Sequence, residues 1–236
     1  MTTHTKDCIV TCGVGKWYPR GVGRMASSYY ATDPSKRADI LFACASAHDE
    51  QSLPDYLPPH SKQPYAFKPC LLMHTLRNDP QINRLLWLDA SCWFVRSPAR
   101  IFDAFDGGYF ISDGWTVGQW CSDAARDILC LTYEEACKIP LLWAAAVGFD
   151  TRNETSMRVL EEWHRYATKT DAFKGSWSNQ NGEVSSNPNV LGHRHDQTVL
   201  SVLVHRAGLP TVPAGAALVK PLAGRTDDTV VCAQGM

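Results

Sequence analysis

Asp89 comes directly after the apolar run 85–88, and a second apolar run begins at Cys92. A short apolar run bounded by polar residues is typical of a strand buried on both faces of a parallel sheet. Such sheets bind ligands at the carboxyl ends of their strands. A carboxylate at that place can bind a divalent cation or a ribose hydroxyl, or it can merely form a turn. Asp89 is therefore a candidate functional residue, with the turn as the alternative.

A glycine-rich, cationic and aromatic segment follows the first predicted strand, 8–12. Glycines let the backbone approach phosphates, and Lys and Arg side chains neutralise their charge. The glycine spacing fits neither the dinucleotide fingerprint nor the P-loop. The sequence predicts nucleotide contact here, with an ordinary glycine-rich loop as the alternative. The candidate residues are Gly13, Val14, Gly15, Lys16, Arg20 and Arg24.

Two histidines, an arginine and an aspartate come just before a predicted helix that Gly208 ends. They are His193, Arg194, His195 and Asp196. Such a cluster at a helix N-terminus can bind an anion or a metal. The alternative is that Asp196 simply caps the helix.

These candidates must be positioned by the elements around them. In the first ninety residues predicted strands and helices alternate, which favours a mostly parallel sheet flanked by helices. The predicted elements there are strands 8–12, 40–45 and 85–88 and helices 25–30 and 70–77. Further along, the pattern predicts strands 109–113 and 141–149 and helix 154–168. The buried stripe of that last helix is predicted to contain Met157, Leu160, His164 and Ala167.

Two long polar segments, 46–64 and 171–189, interrupt this alternation. The first holds four prolines and the second is rich in Ser, Asn and Gly around Trp177. Both are predicted to be surface excursions or lids.

Composition limits the function classes. The chain of 236 residues is 44% hydrophobic, enough for one domain with a proper core. The formal net charge of -1 provides no basic field, so no nucleic-acid partner is expected. The nine cysteines are odd in number and scattered, as in a reducing compartment. With no signal-peptide pattern and no run of eighteen apolar residues, the expectation is a soluble cytoplasmic protein.

The order of several short motifs resembles that of GT-A-fold glycosyltransferases that use a nucleotide-sugar donor. A subset similar to the glycogenin and galactosyltransferase-like enzymes has an Asp-x-Asp strand end and an Asp-Gln ahead of a later helix. The matching positions here are Lys68-Pro69, Asp89-Ala90-Ser91, Ala145 to Phe149, Glu161-Glu162-Trp163, Asp196-Gln197 and Lys220-Pro221.

The resemblance implies a single GT-A-like (Rossmann-like) α/β domain over residues 1–236. Residues 1–95 would form the nucleotide-sugar-binding half and 96–236 the acceptor-side half. The implied activity is transfer of a sugar from a nucleoside diphosphate sugar to a hydroxyl of a glycan or glycolipid acceptor.

The resemblance also implies roles for individual residues. Mn²⁺ or Mg²⁺ at Asp89 would stabilise the charge that grows on the diphosphate, with support from Lys16, Arg20, Arg24, Lys68 and Lys220. Asp196 and Gln197 would lie near the anomeric carbon. For an inverting reaction, the candidate general bases are Asp113, Asp150 and Asp196.

Ser91 departs from the family pattern, because it stands where the second Asp is expected. A hydroxyl is a poorer ligand than a carboxylate for a hard cation. Either Asp89 and Ser91 hold the metal with help from His193 or His195, or the metal is weak or absent. Two alternatives stay open: a metal-dependent hydrolase around His193, His195 and Asp196, and a carbohydrate- or nucleotide-binding module without catalysis.

Overall fold

A computed structural model describes residues 6–32 and 40–234 as a mixed α/β domain. The described strands are β1 (Asp7–Val14), β2 (Ile40–Ala47), β3 (Arg84–Leu88), β4 (Cys92–Phe94), β5 (Gly108–Thr116), β6 (Pro140–Asp150), β7 (Val212–Pro213), β8 (Val219–Pro221) and β9 (Val231–Ala233). The described α-helices are α1 (Tyr18–Thr32), α2 (Phe67–Asn78), α3 (Ala99–Asp103), α4 (Asp123–Ile128), α5 (Tyr133–Ala136), α6 (Glu154–Lys169) and α7 (His195–Ala207).

The central sheet has six strands in the order β2-β1-β3-β6-β5-β7. Strand β6 is antiparallel to its neighbours β3 and β5, whereas the other pairings are parallel. The predicted mostly parallel sheet flanked by helices is thus confirmed. A smaller sheet, β4-β9-β8, lies beside it. Its strand β4 begins at Cys92, shortly after Asp89 in the chain.

Apolar side chains cover both faces of the central sheet. Helices α2, α6 and α7 pack on one face, while α1 and the small sheet pack on the other. The buried stripe of α6 differs from its prediction: Val159 and Trp163 are buried, and Met157 and His164 are only half-buried. The helix is rotated so that its indole, the largest apolar side chain, enters the core, where it removes the most area from water.

Helix α1 begins at Tyr18, earlier than the predicted start at residue 25. The predicted loop therefore shrinks to a short turn, in which Gly15 has a φ of 94°. Gly13 permits this tight connection, because a Cβ there would lie 2.6 Å from the carbonyl oxygen of Tyr18. The sequence also predicts that Asp33-Pro34 ends this helix, and these two residues lie outside the described residues.

The two ends of the central strands carry different groups. At the carboxyl end of β3 the backbone N–H of Asp89 donates to the carbonyl of Ala145 on β6. At the amino end, Arg84 pairs in register with Asp150 and binds the carboxylate of Asp7 at 2.6 Å. Asp89 and Asp150 thus lie at opposite ends of the central strands.

No helix among residues 6–32 and 40–234 is long and apolar enough to cross a membrane.

Candidate active site

A buried ammonium group links two of the predicted carboxylates. Lys68 Nζ lies 2.9 Å from Asp89 Oδ1 and 2.9 Å from Asp196 Oδ2. It also donates a hydrogen bond to the carbonyl of Ala144, again at 2.9 Å. The side chains of Lys68 and Asp196 are each 3% exposed, whereas that of Asp89 is 30% exposed. Asp89 is therefore the member of this trio that faces solvent.

Charge and burial act against each other in this trio. Burial alone would lower the pKa of Lys68, but the facing charges of Asp196 and Asp89 hold it above its ordinary value. Burial raises the pKa of Asp196 to about 6, although Lys68 opposes that rise. The ammonium consequently stays protonated at neutral pH and supplies a fixed positive charge at the carboxyl end of the sheet.

Two indoles hydrogen-bond the two aspartates, one at its carboxylate and the other at its backbone carbonyl. Trp87 Nε1 donates to Asp89 Oδ1 at 2.8 Å, and Trp163 Nε1 donates to the carbonyl oxygen of Asp196 at 3.1 Å. Each tryptophan is fully buried in the core. Because the donors are locked by packing, the two aspartates sit on rigid supports.

Two non-glycine residues with positive φ flank the trio. Tyr65 has a φ of 58° and His195 a φ of 47°, and their rings contact each other with centroids 5.6 Å apart. The Tyr65 ring also lies 5.1 Å from Lys68 Nζ. Such strained residues concentrate at functional sites, where the surroundings hold them in place. The sequence pattern did not identify Tyr65, since no motif marks its backbone conformation.

Next to the trio lies a cavity of about 570 Å³, a size suited to a small-molecule ligand. All of its lining residues come from the first 91 positions: the β1–α1 turn, the segment after β2, the start of α2 and the end of β3. They are Cys12, Val14, Gly15, Tyr18, His48, Asp49, Glu50, His60, Tyr65, Phe67, Lys68, Asp89, Ala90 and Ser91. The first predicted lid segment thus forms one wall of the cavity.

The predicted cations other than Lys68 do not line this cavity and differ in what they contact. Arg24 donates to the carbonyl oxygen of Ser91 at 2.8 Å, which places its guanidinium at the end of the Asp89 turn. Lys16 and Arg20 instead contact the exposed ring of Trp17, outside the cavity lining. Lys220 donates to Gly215 in the small-sheet region and does not line the cavity either.

The two predicted histidine ligands are engaged elsewhere. His193 Nδ1 accepts a hydrogen bond from the backbone N–H of Ser122, and its Nε2 bonds the carbonyl of Ala172. His195 Nδ1 donates to the carbonyl of Phe173. Burial lowers the pKa of His193 to about 3 and that of His195 to about 4. Both ring nitrogens of His193 are hydrogen-bonded within the protein and leave no free nitrogen for a metal ion, which weakens the hydrolase alternative.

Because His193 and His195 are buried in their neutral form, we expect the folded protein to lose stability in acid. The unfolded chain protonates a histidine near pH 6.5, whereas folded His193 resists protonation until about pH 3. Stability from His193 is therefore present above pH 6.5 and lost as pH falls, by up to about 1.4 kcal/mol per pH unit. Urea unfolding between pH 7 and 4 should show a shallower acid decline for His193→Gln. The exposed His205→Gln is the matched control, and equal slopes in the two variants would contradict the prediction.

A divalent cation was expected at Asp89, Ser91, His193 and His195. Within the described residues, no group of three or more His, Cys, Asp or Glu side chains could hold a metal ion. One Asp89 oxygen already faces Lys68 and the indole of Trp87. A single carboxylate, a hydroxyl and a nearby ammonium are a poor donor set for Mn²⁺ or Mg²⁺. These residues do not fit a cation held by the protein.

The three candidate bases separate in space. Asp150 lies at the opposite end of the strands from Asp89 and pairs with Arg152. For this reason it is not retained as a candidate base. Asp196 is held by Lys68, and the residue that caps α7 is Arg194, so the alternative that Asp196 merely caps this helix is wrong. Asp113, on β5, is half-buried, and burial raises its pKa while Arg194 opposes the rise. Of the three, Asp113 is the carboxylate for which the described residues provide no ion-pair partner.

Gln197 is half-buried one position after Asp196, and its backbone N–H donates to the carbonyl of Arg194. It lies in the first turn of α7, directly after Asp196.

Comparison with solved structures identifies the type of fold. The chain is similar to a glycosyltransferase involved in the glycosylation of the major capsid of PBCV-1, with a TM-score of 0.50 and 11% sequence identity. The match covers 96% of this chain and 93% of that one. The fold is therefore glycosyltransferase-like, as predicted. No protein-family model and no curated protein matches the sequence.

Proposed function

We propose that the protein transfers a sugar from a nucleoside diphosphate sugar to a hydroxyl group of a glycan or glycolipid. The observation that carries the proposal is the buried Lys68, held between Asp89 and Asp196 at the wall of a ligand-sized cavity. A buried cation with perturbed partners in a concave site is a functional-site signature.

The cavity suits the nucleotide part of the donor. Gly15 leaves room for close approach of the ligand, since no atom lies within 4 Å of a Cβ built there. Tyr18 offers a ring, 47% exposed, on which a base can stack. Asp89 is placed to accept hydrogen bonds from donor hydroxyls, because its carboxylate is the exposed member of the trio.

Transfer requires stabilisation of negative charge that grows on the leaving diphosphate. In this proposal the positive charge comes from Arg24, beside Ser91, and from Lys68. Asp196 fixes the position of the ammonium and, with Gln197, lies on the side of the transferred sugar. Asp113 takes the proton of the acceptor hydroxyl if the reaction inverts the anomeric configuration.

Thermal stability with UDP, GDP, dTDP and CDP, each with EDTA or Mn²⁺, tests the proposal. A ligand that binds the folded state raises the midpoint. We expect one nucleotide to raise it in EDTA as well as in Mn²⁺. A shift seen only with Mn²⁺ would restore a required metal, and no shift with any nucleotide would overturn the proposal.

Formation of a glycosylated product from the donor sugar named by that assay separates a transferase from a binding module. Binding without product over a panel of hydroxyl acceptors would favour the module.

A further inference from the structure

A row of aromatic rings with one guanidinium connects the surface to the donor cavity. This aromatic row consists of Trp115, Trp120, Arg194, Trp177 and Tyr65. Trp115 and Trp120 have ring centroids 5.9 Å apart, and those of Trp177 and Tyr65 are 5.8 Å apart. Tyr65 lines the cavity and contacts Lys68, so the row ends at the cavity wall beside the trio.

Arg194 stands at the centre of the row between two indoles. Its guanidinium carbon lies 3.7 Å from the ring centroid of Trp120 and 4.3 Å from that of Trp177. Among residues 6–32 and 40–234, the structure gives this guanidinium no hydrogen-bond acceptor and no carboxylate within ion-pairing distance. The guanidinium lies between two indoles, and its N–H groups have no hydrogen-bond acceptor among the described residues.

Leaving this half-buried cation unpaired has a cost. Burial lowers the pKa of Arg194, and the charge of Asp113 on β5 offsets that only in part. An oxyanion at the edge of the guanidinium would form charge-assisted hydrogen bonds, and the planar fork matches carboxylate and phosphate. A neutral hydroxyl would offset less of the cost.

The outer indoles add a surface for a carbohydrate. Trp115 is 45% exposed and Trp177 is 42% exposed. Exposed indole faces stack well on sugar rings. The segment that carries Trp177 is firmly held, because Asn179 bonds the backbone of Ser185 and Val190 from its side chain. The platform is therefore already in place without a ligand, which limits the entropy lost on binding.

We propose that the aromatic row is the acceptor subsite, and that it takes a carbohydrate with a carboxylate or phosphate group, which Arg194 pairs. This rests on the proposed function, because it assigns the acceptor of that same site. The acceptor would be an acidic glycan or a phosphorylated one, stacked on Trp115 and Trp177, with its reacting hydroxyl directed toward Tyr65 and the cavity.

Titration calorimetry with matched charged and neutral probes tests the inference. The carboxylate pair is oligogalacturonate and its methyl ester; the phosphate pair is a mannose 6-phosphate-capped oligosaccharide and its dephosphorylated form. We expect one charged probe to bind at least about tenfold more tightly than its neutral counterpart. The pair that shows the difference identifies the oxyanion. Equal binding within both pairs, or no binding of any charged probe, overturns the inference.

Variants locate the effect. Arg194→Met keeps an apolar stem between the indoles and should abolish the charge preference, while Arg194→Lys should keep part of it because the charge remains without the fork. Arg165→Met, on the exposed surface of α6 where Arg165 pairs with Glu162, is the matched control and should behave as wild type. A charge preference that survives Arg194→Met would overturn the assignment.

The two proposals fail separately in these experiments. Nucleotide-dependent stabilisation without charge preference contradicts the acceptor subsite and leaves the transferase. A charge preference without any nucleotide effect contradicts the transferase and leaves an acidic-carbohydrate subsite.

Discussion

Lys68→Met is expected to abolish sugar transfer and to lower the free energy of unfolding by about 3–5 kcal/mol. The substitution keeps the length of the side chain but removes the cation that faces Asp89 and Asp196 at 2.9 Å each. The buried carboxylate of Asp196 is then left without its counter-charge, which is the costly part of breaking a buried pair. Urea denaturation at pH 7.5 measures the stability, and product formation measures the transfer.

A second substitution separates the structural role of Lys68 from its chemical one. Lys68→Met combined with Asp196→Asn removes the uncompensated charge, so most of the lost stability should return. Transfer should not return, because the positive charge at the cavity wall is still missing. Near-native turnover in either variant, measured on folded protein, would show that the ammonium is only a structural counter-ion.

Asp89→Asn is expected to lower turnover by about 10²–10³-fold with little loss of stability. The asparagine oxygen can still accept the hydrogen bond that Trp87 Nε1 donates at 2.8 Å, so the local packing is retained. What disappears is the negative charge that faces both Lys68 and the cavity. Steady-state kinetics with the donor identified by the nucleotide assay measures the effect.

The control for Asp89→Asn is Asp150→Asn. Both aspartates follow or end apolar strands in the sequence, but Asp150 lies at the amino end of β3 beside Arg84. We expect Asp150→Asn to keep its turnover within about twofold, because it is far from the developing charge and surface charges act weakly at such range. Equal losses of turnover in the two variants would mean that the effect does not depend on which end of the strands carries the aspartate.

Much of the chain's organisation could be read from local patterns. The apolar run 85–88 with Asp89 after it predicted a buried strand with a carboxylate at its end, and β3 confirms the strand. The strand–helix alternation predicted the flanked, mostly parallel sheet, because apolar periodicity is a property of a few consecutive residues. At Thr132 a capping box with its reciprocal hydrogen bonds is likewise a local feature that marks the start of α5.

Some predictions differ from the structure because tertiary packing outweighed a local sequence signal. The glycines of 13–23 suggested a loop, yet Gly21 lies inside α1, where burial against the sheet outweighs its poor helix propensity. Asp150 was named as a candidate base with Asp113 and Asp196, and it would lie near Asp89 if β6 ran parallel to β3. The antiparallel direction of β6 reverses that, and strand direction is set by the packing of the whole sheet.

The sequence by itself determined which residues could do chemistry: the aspartates at 89, 113 and 196 and the cations near them. Only the tertiary structure decided which of them meet. It brought Lys68 from α2 between Asp89 after β3 and Asp196 from α7, and it placed Arg194 between Trp120 and Trp177. These partners are separated by up to 128 positions, and no local propensity encodes such a contact, because it exists only once burial has fixed how the helices pack on the sheet.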